Sequence, residues 1–115
     1  MKGRNIPILL EEIVDNINSS RQLTKEITYE EFVDNDMAYI ATIECIKKIS
    51  DAAEQMPTIV RVKHSLIPWS ALAGLYAGTR KTDLGTDPVS VWKIATEYLP
   101  GIKPRIVQML DEFQQ

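Results

Sequence analysis

The sequence has one cysteine and one histidine, and each scarcity excludes a class of site. A single cysteine, Cys45, allows neither an intramolecular disulfide nor a multi-cysteine zinc site. His64 is the sole histidine, so the chain contains no HxxxH or HExxH pair for a metal centre. We therefore expect no metal ion and no cofactor.

Long apolar runs are also missing. No stretch approaches the roughly 18 apolar residues that a membrane-crossing helix needs, and the charged start MKGRNIP is not followed by a cleavable signal pattern. Together with the single cysteine, this predicts a cytoplasmic protein that is neither secreted nor membrane-associated.

The chain as a whole has a small net charge, but its two halves differ in sign. The net charge is −3; residues 1–60 carry 6 Lys/Arg against 11 Asp/Glu, and residues 61–115 carry 7 against 5. An excess of two positive charges is far below the footprint of a dedicated nucleic-acid binder, so a solvated surface is the simpler interpretation. RNA stays an alternative partner of the second half.

Alternating strand patterns are nearly absent, except in the short TIVRVKHSLI, while apolar residues recur every three or four positions throughout. This predicts an all-α protein, an up-and-down bundle of five or six helices in a single domain over residues 1–115. The predicted helices start near residues 5, 28, 37, 68, 87 and 104, and the connector before Pro68 carries at most one turn.

The third helix is predicted to be the spine of the core. Its apolar stripe consists of Met37, Ile40, Ala41, Cys45, Ile49, Ala52 and Met56. Local signals predict several helix ends: Thr28 and Glu31 have capping-box spacing, Asp87-Pro88 has the form of a helix start, and Pro100-Gly101 is expected to end the helix that follows.

Residues whose side chains could act in catalysis or binding have simpler structural explanations. His64 is expected in a connector without a positioned partner, and Cys45 as a small buried residue on an apolar helix face. Trp69 and Trp92 stand at helical spacing with other apolar residues and are predicted core anchors.

The order ISDAAEQMP, KHSLIPW, AGL and DPVSVWKIATEYLPGI resembles the HepT-like proteins of the HEPN superfamily over about residues 5–113. The family signatures have the form IGEAA…LP, KHPEIPW, GMRN…H.Y and D…VW.I….LP.L. The resemblance implies a HEPN-like bundle and ancestry among ribonuclease toxins. Their site is an arginine followed after about four to six residues by a histidine, at a cleft between two subunits. These groups hold the phosphate and move the proton when a ribose 2′-hydroxyl attacks the phosphodiester, without a metal.

The resemblance places this site in GLYAGTRKTDLGTD, residues 74–87, where the flanking motifs leave no gap. The positions that match the family's arginine, asparagine, histidine and following tyrosine are Tyr76, Ala77, Lys81 and Asp83. A lysine ammonium is protonated at neutral pH, and a tyrosine lacks the two-pronged charged hydrogen bonds of arginine. We expect no catalytic residue there, whereas Arg80 and Lys81 remain candidate contacts to phosphate or RNA.

His64 does not restore the motif elsewhere. An arginine at the family spacing would be residue 57, 58 or 59, and these are Pro57, Thr58 and Ile59. The leading expectation is thus a catalytically degenerate relative in a HEPN/MNT type of toxin–antitoxin system, acting as a dimeric binding or regulatory subunit.

Two alternatives stay open. One is an active, metal-independent endoribonuclease toxin with a site rebuilt from Tyr76, Arg80 and Lys81 of two facing subunits. The other is an oligomerisation or antitoxin-like module for an MNT-type nucleotidyltransferase, although Asp83 offers no hydroxyl for the nucleotide transfer known in the family.

A homodimer follows from the resemblance. The small residues of the fourth predicted helix, which would let two backbones approach closely, are consistent with it: Ala71, Ala73, Gly74, Ala77 and Gly78. Tight packing inside one subunit explains them nearly as well.

Overall fold

The computed structural model of the chain describes residues 5–82 and 85–114, and the prediction of an all-α bundle is confirmed. The helices and strands are α1 (Ile6–Thr24), α2 (Tyr29–Asp34), α3 (Asp36–Glu54), α4 (Thr58–Lys63), α5 (Trp69–Ala73), α6 (Leu75–Thr79), β1 (Arg80–Thr82), β2 (Gly85–Thr86), α7 (Pro88–Lys93), a π-helical turn (Ile94–Tyr98) and α8 (Leu99–Phe113). Over the described ranges, no helix is long and apolar enough to span a bilayer.

The core forms where α1 packs against α3 and α8. Each of these helices turns one apolar stripe inward, at the three-and-four spacing that places side chains on a single helix face. The buried residues of α1 and α8 include Leu9, Leu10, Ile13, Ile17, Leu99, Ile102, Ile106 and Met109. Trp69 is buried as predicted, and Trp92, half-buried, packs 5.1 Å from Phe32 between ring centroids.

The predicted stripe of α3 is wrong at its N-terminal end. Met37 is 84% exposed and Ile40 is 59% exposed, whereas the neighbouring Ala38 and Thr42 are buried. Two adjacent stripes of α3 share the same three-and-four spacing, and α1 packs on the one that contains the smaller side chains. Large apolar residues of the other stripe therefore face solvent.

The predicted helix starts at Thr28 and at Asp87-Pro88 are confirmed by their caps. The Thr28 hydroxyl accepts from the Glu31 N–H at 3.1 Å, while the Glu31 carboxylate accepts from the Thr28 N–H at 2.8 Å. The Asp87 carboxylate accepts from the Val89 N–H at 3.3 Å, with Pro88 in the first turn of α7. These side chains satisfy backbone donors that have no partner within the helix.

The predicted stop at Pro100-Gly101 and restart near Pro104 are wrong, since helical structure runs on from α7 through the π-helical turn into α8. Proline has no N–H to donate to the preceding turn and would break a regular helix. Immediately before Pro100, the Leu99 N–H donates to the carbonyl of Ile94, five residues back instead of four. The wider turn carries the chain past the proline without ending the helix.

The connector between α3 and α5 also differs from expectation. TIVRVKHSLI, which has the pattern of a short strand, contains the helix α4 instead. None of the residues of α4 is buried. Its Arg61 guanidinium donates to the carbonyls of Ala53, Glu54 and Met56, at 2.9 to 3.0 Å, and so caps the end of α3. These polar contacts, together with the partly buried Val60, hold α4 against the rest of the bundle.

A small antiparallel hairpin, absent from the sequence prediction, follows α6. In it Arg80 pairs with Thr86, and Thr82 pairs with Gly85. Gly85 has φ of 114°, a conformation that glycine adopts without steric cost. The Thr86 hydroxyl lies 2.6 Å from the Tyr39 hydroxyl, which ties the hairpin to α3.

Candidate functional site

The helix predicted to open at Pro68 is interrupted at Gly74, and a buried serine of α3 fills the gap. In an unbroken α-helix, the Tyr76 N–H would donate to the carbonyl of Leu72, four residues back. Instead, the Ser50 hydroxyl donates to the Leu72 carbonyl at 3.1 Å and accepts from the Tyr76 N–H at 3.0 Å. The inserted hydroxyl divides the helix into α5 and α6 and fixes the start of α6 on α3.

Tyr76, predicted above to match the arginine of the HepT-like motif, is half-buried on α6. Its ring centroid lies 5.7 Å from the Lys47 ammonium of α3. This distance is within the range of a cation–π contact. The sequence does not predict the contact between Lys47 and Tyr76. The two residues belong to different helices, and only the packing of α6 on α3 brings them together.

Arg80 and Ala77 are both exposed. Arg80 caps α6 through its backbone N–H, which donates to the Ala77 carbonyl, and its extended φ and ψ begin β1. The spacing of four between Tyr76 and Arg80, and between Ala77 and Lys81, would place each pair on one face of a continuous helix. That prediction is wrong, because α6 ends at Thr79. Lys81 belongs to β1 by its backbone; its side chain, and Asp83 altogether, lie outside the described residues.

The junction between α6 and the hairpin is held by a buried threonine. The Thr79 hydroxyl donates to the Tyr76 carbonyl at 2.7 Å, and the Thr79 carbonyl accepts from the Asp87 N–H at 2.6 Å. The Asp87 carboxylate in turn accepts from the Ser90 hydroxyl at 2.8 Å. The end of α6 and the start of α7 thus form one hydrogen-bonded unit around Arg80.

The sole histidine lies on other elements. His64 follows α4, and its ring centroid is 5.8 Å from that of Phe113 in α8. Its carbonyl accepts from the Trp69 indole N–H at 3.1 Å, which fixes the connector. The side chain borders a cavity of about 240 Å³, together with Lys63 and Arg105. The imidazole belongs to this cavity against α8, whereas Tyr76 belongs to the packing of α6 on α3.

Cys45 is buried on α3, as predicted. Burial raises the pKa of its thiol, an effect that the nearby Lys48 ammonium opposes and the Glu44 carboxylate reinforces. A buried thiol of raised pKa is a poor nucleophile. In the described part of the chain, no three His, Cys, Asp or Glu side chains are grouped to hold a metal ion.

The small residues of α5 and α6 are largely on the outside. Ala71, Gly74, Ala77 and Gly78 are exposed. A Cβ atom added to Gly78 would meet no atom within 4 Å, so packing inside the subunit does not require a glycine there. These four residues leave only small side chains on the outer face of α5 and α6, next to Tyr76 in sequence.

The family model "Ribonuclease HepT-like" matches residues 13–109. A "Putative RNase" of Methanocaldococcus jannaschii is 29% identical over 115 residues, which cover 100% of this chain and 99% of the relative. A second "Putative RNase" of that organism is 30% identical over 106 residues, covering 92% and 97%. The "Probable ribonuclease HepT" of Thermococcus cleftensis is 26% identical over 100 residues, covering 87% and 91%. No solved structure matches the chain.

Proposed function

The chain belongs to the HepT-like ribonuclease family, and we propose that it is a catalytically degenerate member acting as a dimeric binding or regulatory subunit. The observation that carries the proposal is the place of the sole histidine, which packs against Phe113 of α8. Metal-free cleavage needs a group that accepts the proton of the 2′-hydroxyl while positive charge holds the phosphate. The surface around Tyr76 offers Lys47 and Arg80 as cations but no imidazole.

The protonation of these groups supports loss of turnover. Arginine and lysine are charged at neutral pH, so they attract phosphate without accepting a proton. A general base and a charge-stabilising donor each contribute about 10²–10⁴ to the rate in enzymes of this kind. A site with the charges and without the base binds RNA and leaves it intact. Arg80 and Lys81 are the proposed phosphate contacts, and the neighbouring Lys47 extends their positive charge.

The proposed assembly is a homodimer that meets an MNT-type nucleotidyltransferase in a HEPN/MNT system, in the cytoplasm, with residues 1–115 as one domain. The exposed small residues of α5 and α6 support close approach of a second subunit beside Tyr76. A minimal nucleotidyltransferase encoded next to this chain, and co-purifying with it, is the expected finding. Co-purification without any effect on RNA would favour the antitoxin-like module over the RNA-binding subunit.

The direct test is incubation of the purified protein with structured and single-stranded RNA in the presence of a chelator. We expect the RNA to stay intact, at the level seen with the Arg80→Ala variant prepared in parallel. Cleavage that Lys81→Ala or Arg80→Ala removes would overturn the proposal, and cleavage equal in all preparations would identify a contaminant.

A second candidate, an active ribonuclease with a rebuilt site, is favoured by one observation. Lys47 lies 5.7 Å from the Tyr76 ring centroid, which places a cation beside a side chain that carries a hydroxyl. In this candidate, Tyr76, Arg80 and Lys81 from two facing subunits form the rebuilt site. Growth arrest on expression of the wild type, relieved by Tyr76→Phe and by Arg80→Ala, supports this candidate; harmless expression of the wild type contradicts it.

A further inference from the structure

Charge is segregated along the chain into two opposite segments. Residues 26–46 contain six acids and no Lys or Arg, whereas residues 55–82 contain four Lys or Arg and no acid. The first segment includes α2 and the N-terminal part of α3, and the second runs from α4 to β1. Each segment also carries large apolar side chains that face solvent.

The first of these exposed surfaces is on and beside α4, and we call it the α4 surface: Ile59, Val62, Lys63 and Leu66. Its three apolar residues are 71%, 69% and 78% exposed, respectively. Ile59 and Val62 are three residues apart on α4 and so share a helix face. Such a group of exposed apolar side chains marks an interaction site on a water-soluble protein.

The charge of the α4 surface is positive. Lys63 is exposed and forms no ion pair with any residue in the described ranges. Arg105 of α8 reaches the same surface, where its guanidinium donates to the Leu66 carbonyl at 3.0 Å. Glu112 borders the same cavity, so two cations face one carboxylate there.

The second surface is formed by exposed residues of α2 and α3, and we call it the α2–α3 surface: Val33, Asp34, Asp36, Met37 and Ile40. Met37 and Ile40 are three residues apart on α3 and so share a helix face, while Val33 is on α2 just before it. Both aspartates are exposed, and so is Glu30 of α2. The surface is therefore apolar with an acidic border, complementary to the α4 surface in sign.

The two surfaces lie at opposite ends of α3. Met37 is in the first turn of α3, and α4 begins shortly after its last residue, Glu54. A helix of 19 residues is about 28 Å long. The complementary surfaces therefore do not reach each other within one subunit, although each is open to a second copy.

We propose that the α4 surface of one copy docks on the α2–α3 surface of another. Burial of the apolar side chains drives the association, and Lys63 and Arg105 opposite Asp34 and Asp36 set its orientation. Because the two surfaces differ, the contact is heterologous and builds either a closed ring or an open chain. It uses other residues than the exposed small residues of α5 and α6 assigned to the dimer, although Val62 and Ala71 border the same cavity. The proposal does not depend on the loss of catalysis.

The test is sedimentation velocity of the full chain over a range of protein concentrations at low and high salt. We expect the wild type to exceed the mass of two 13.0 kDa chains at high protein concentration, and to dissociate partly as salt screens the charges. Val62→Glu and Met37→Lys each place a like charge in the contact, and each should weaken this association about tenfold or more. Ile8→Glu, an exposed apolar residue of α1 outside both surfaces, is the control and should leave it unchanged.

Mixing the two variants identifies a heterologous contact. Val62→Glu keeps an intact α2–α3 surface and Met37→Lys keeps an intact α4 surface, so the mixture should associate although neither variant does alone. A wild type that never exceeds two chains overturns the proposal, as does a mixture that fails to associate. Association of Met37→Lys alone at the wild-type level would also overturn it, because it would indicate that α4 pairs with itself. If both variants remain dimers when alone, the dimer proposed through α5 and α6 forms without this contact. If both variants are monomers when alone, that dimer does not form, and the two proposals are thereby distinguished.

Discussion

The Ser50 hydroxyl accepts a hydrogen bond from the Tyr76 N–H at 3.0 Å, across the break between α5 and α6. The same hydroxyl donates to the Leu72 carbonyl, the group that Tyr76 would otherwise bond. One side chain of α3 therefore replaces a backbone hydrogen bond between α5 and α6. The position of Tyr76, and with it of the proposed site, depends on this buried serine.

Replacing Ser50 by alanine should destabilise the protein by about 1–3 kcal/mol, because the part-buried Tyr76 N–H and the buried Leu72 carbonyl both lose the serine hydroxyl. Chemical denaturation measures the change in the free energy of unfolding. Ser70→Ala, at an exposed position of α5, is the matched control and should be close to neutral. Equal midpoints for the two variants would show that α5 and α6 join into one helix without the serine.

Replacing Thr42 by valine should stabilise the protein by about 1 kcal/mol. The Thr42 hydroxyl is fully buried on α3 and has no hydrogen-bond partner among the residues described, so its desolvation is uncompensated. Thr79 is equally buried, but its hydroxyl donates to the Tyr76 carbonyl at 2.7 Å. Thr79→Val should therefore destabilise by a similar amount. Thermal unfolding shifts of the same sign in both variants would contradict this reasoning.

The buried thiol makes stability depend on alkaline pH. Burial raises the pKa of Cys45 in the folded state, so the folded protein keeps this proton to a higher pH than the unfolded chain. Below the pKa of the unfolded thiol, about 8.5, both states are protonated and the contribution is constant. As pH rises above that value the unfolded state loses the proton first, and stability falls. Urea denaturation from pH 7 to 10 should show a smaller fall for Cys45→Ala than for the wild type; parallel curves would contradict it.

Arg80→Ala should weaken binding of single-stranded RNA and reduce the slope of log affinity against log salt by about 0.7 to 1, the change for one lost phosphate contact. Arg21→Ala removes the same charge from an exposed position on α1 and leaves the slope unchanged. Fluorescence anisotropy at several salt concentrations measures both. Equal slopes for the two variants would place the RNA elsewhere than at Arg80.

Local signals predicted local structure well. The capping box of Thr28 and Glu31 and the Asp87-Pro88 start each involve residues within a single turn, and both are present. In α1, the buried Leu9, Leu10, Ile13 and Ile17 have the three-and-four spacing that predicts an apolar stripe. For α3, spacing alone does not choose between the stripe of Met37 and that of Ala38, because the choice depends on which face α1 covers.

Features that depend on distant residues escaped prediction. The hairpin strands contain three and two residues, too few to give a pattern, and Thr86 contacts Tyr39 across 47 positions of sequence. Lys47 meets Tyr76, and Ser50 inserts beside it, only once α6 packs on α3. At the candidate site, sequence could identify Tyr76 and Arg80 but not the side chains of α3 that surround them.

The π-helical turn before Pro100 sets the rotational register of α8. An α-helix turns about 100° per residue, and a π-helical turn accommodates one residue more than a regular turn. The rotation of this additional residue is absorbed within the turn. Deleting one residue between Ile94 and Tyr98 would therefore rotate the buried residues Ile102, Ile106 and Met109 away from α1 together. A single deletion there would disrupt the contact of a whole helix, although it removes no core side chain of α8.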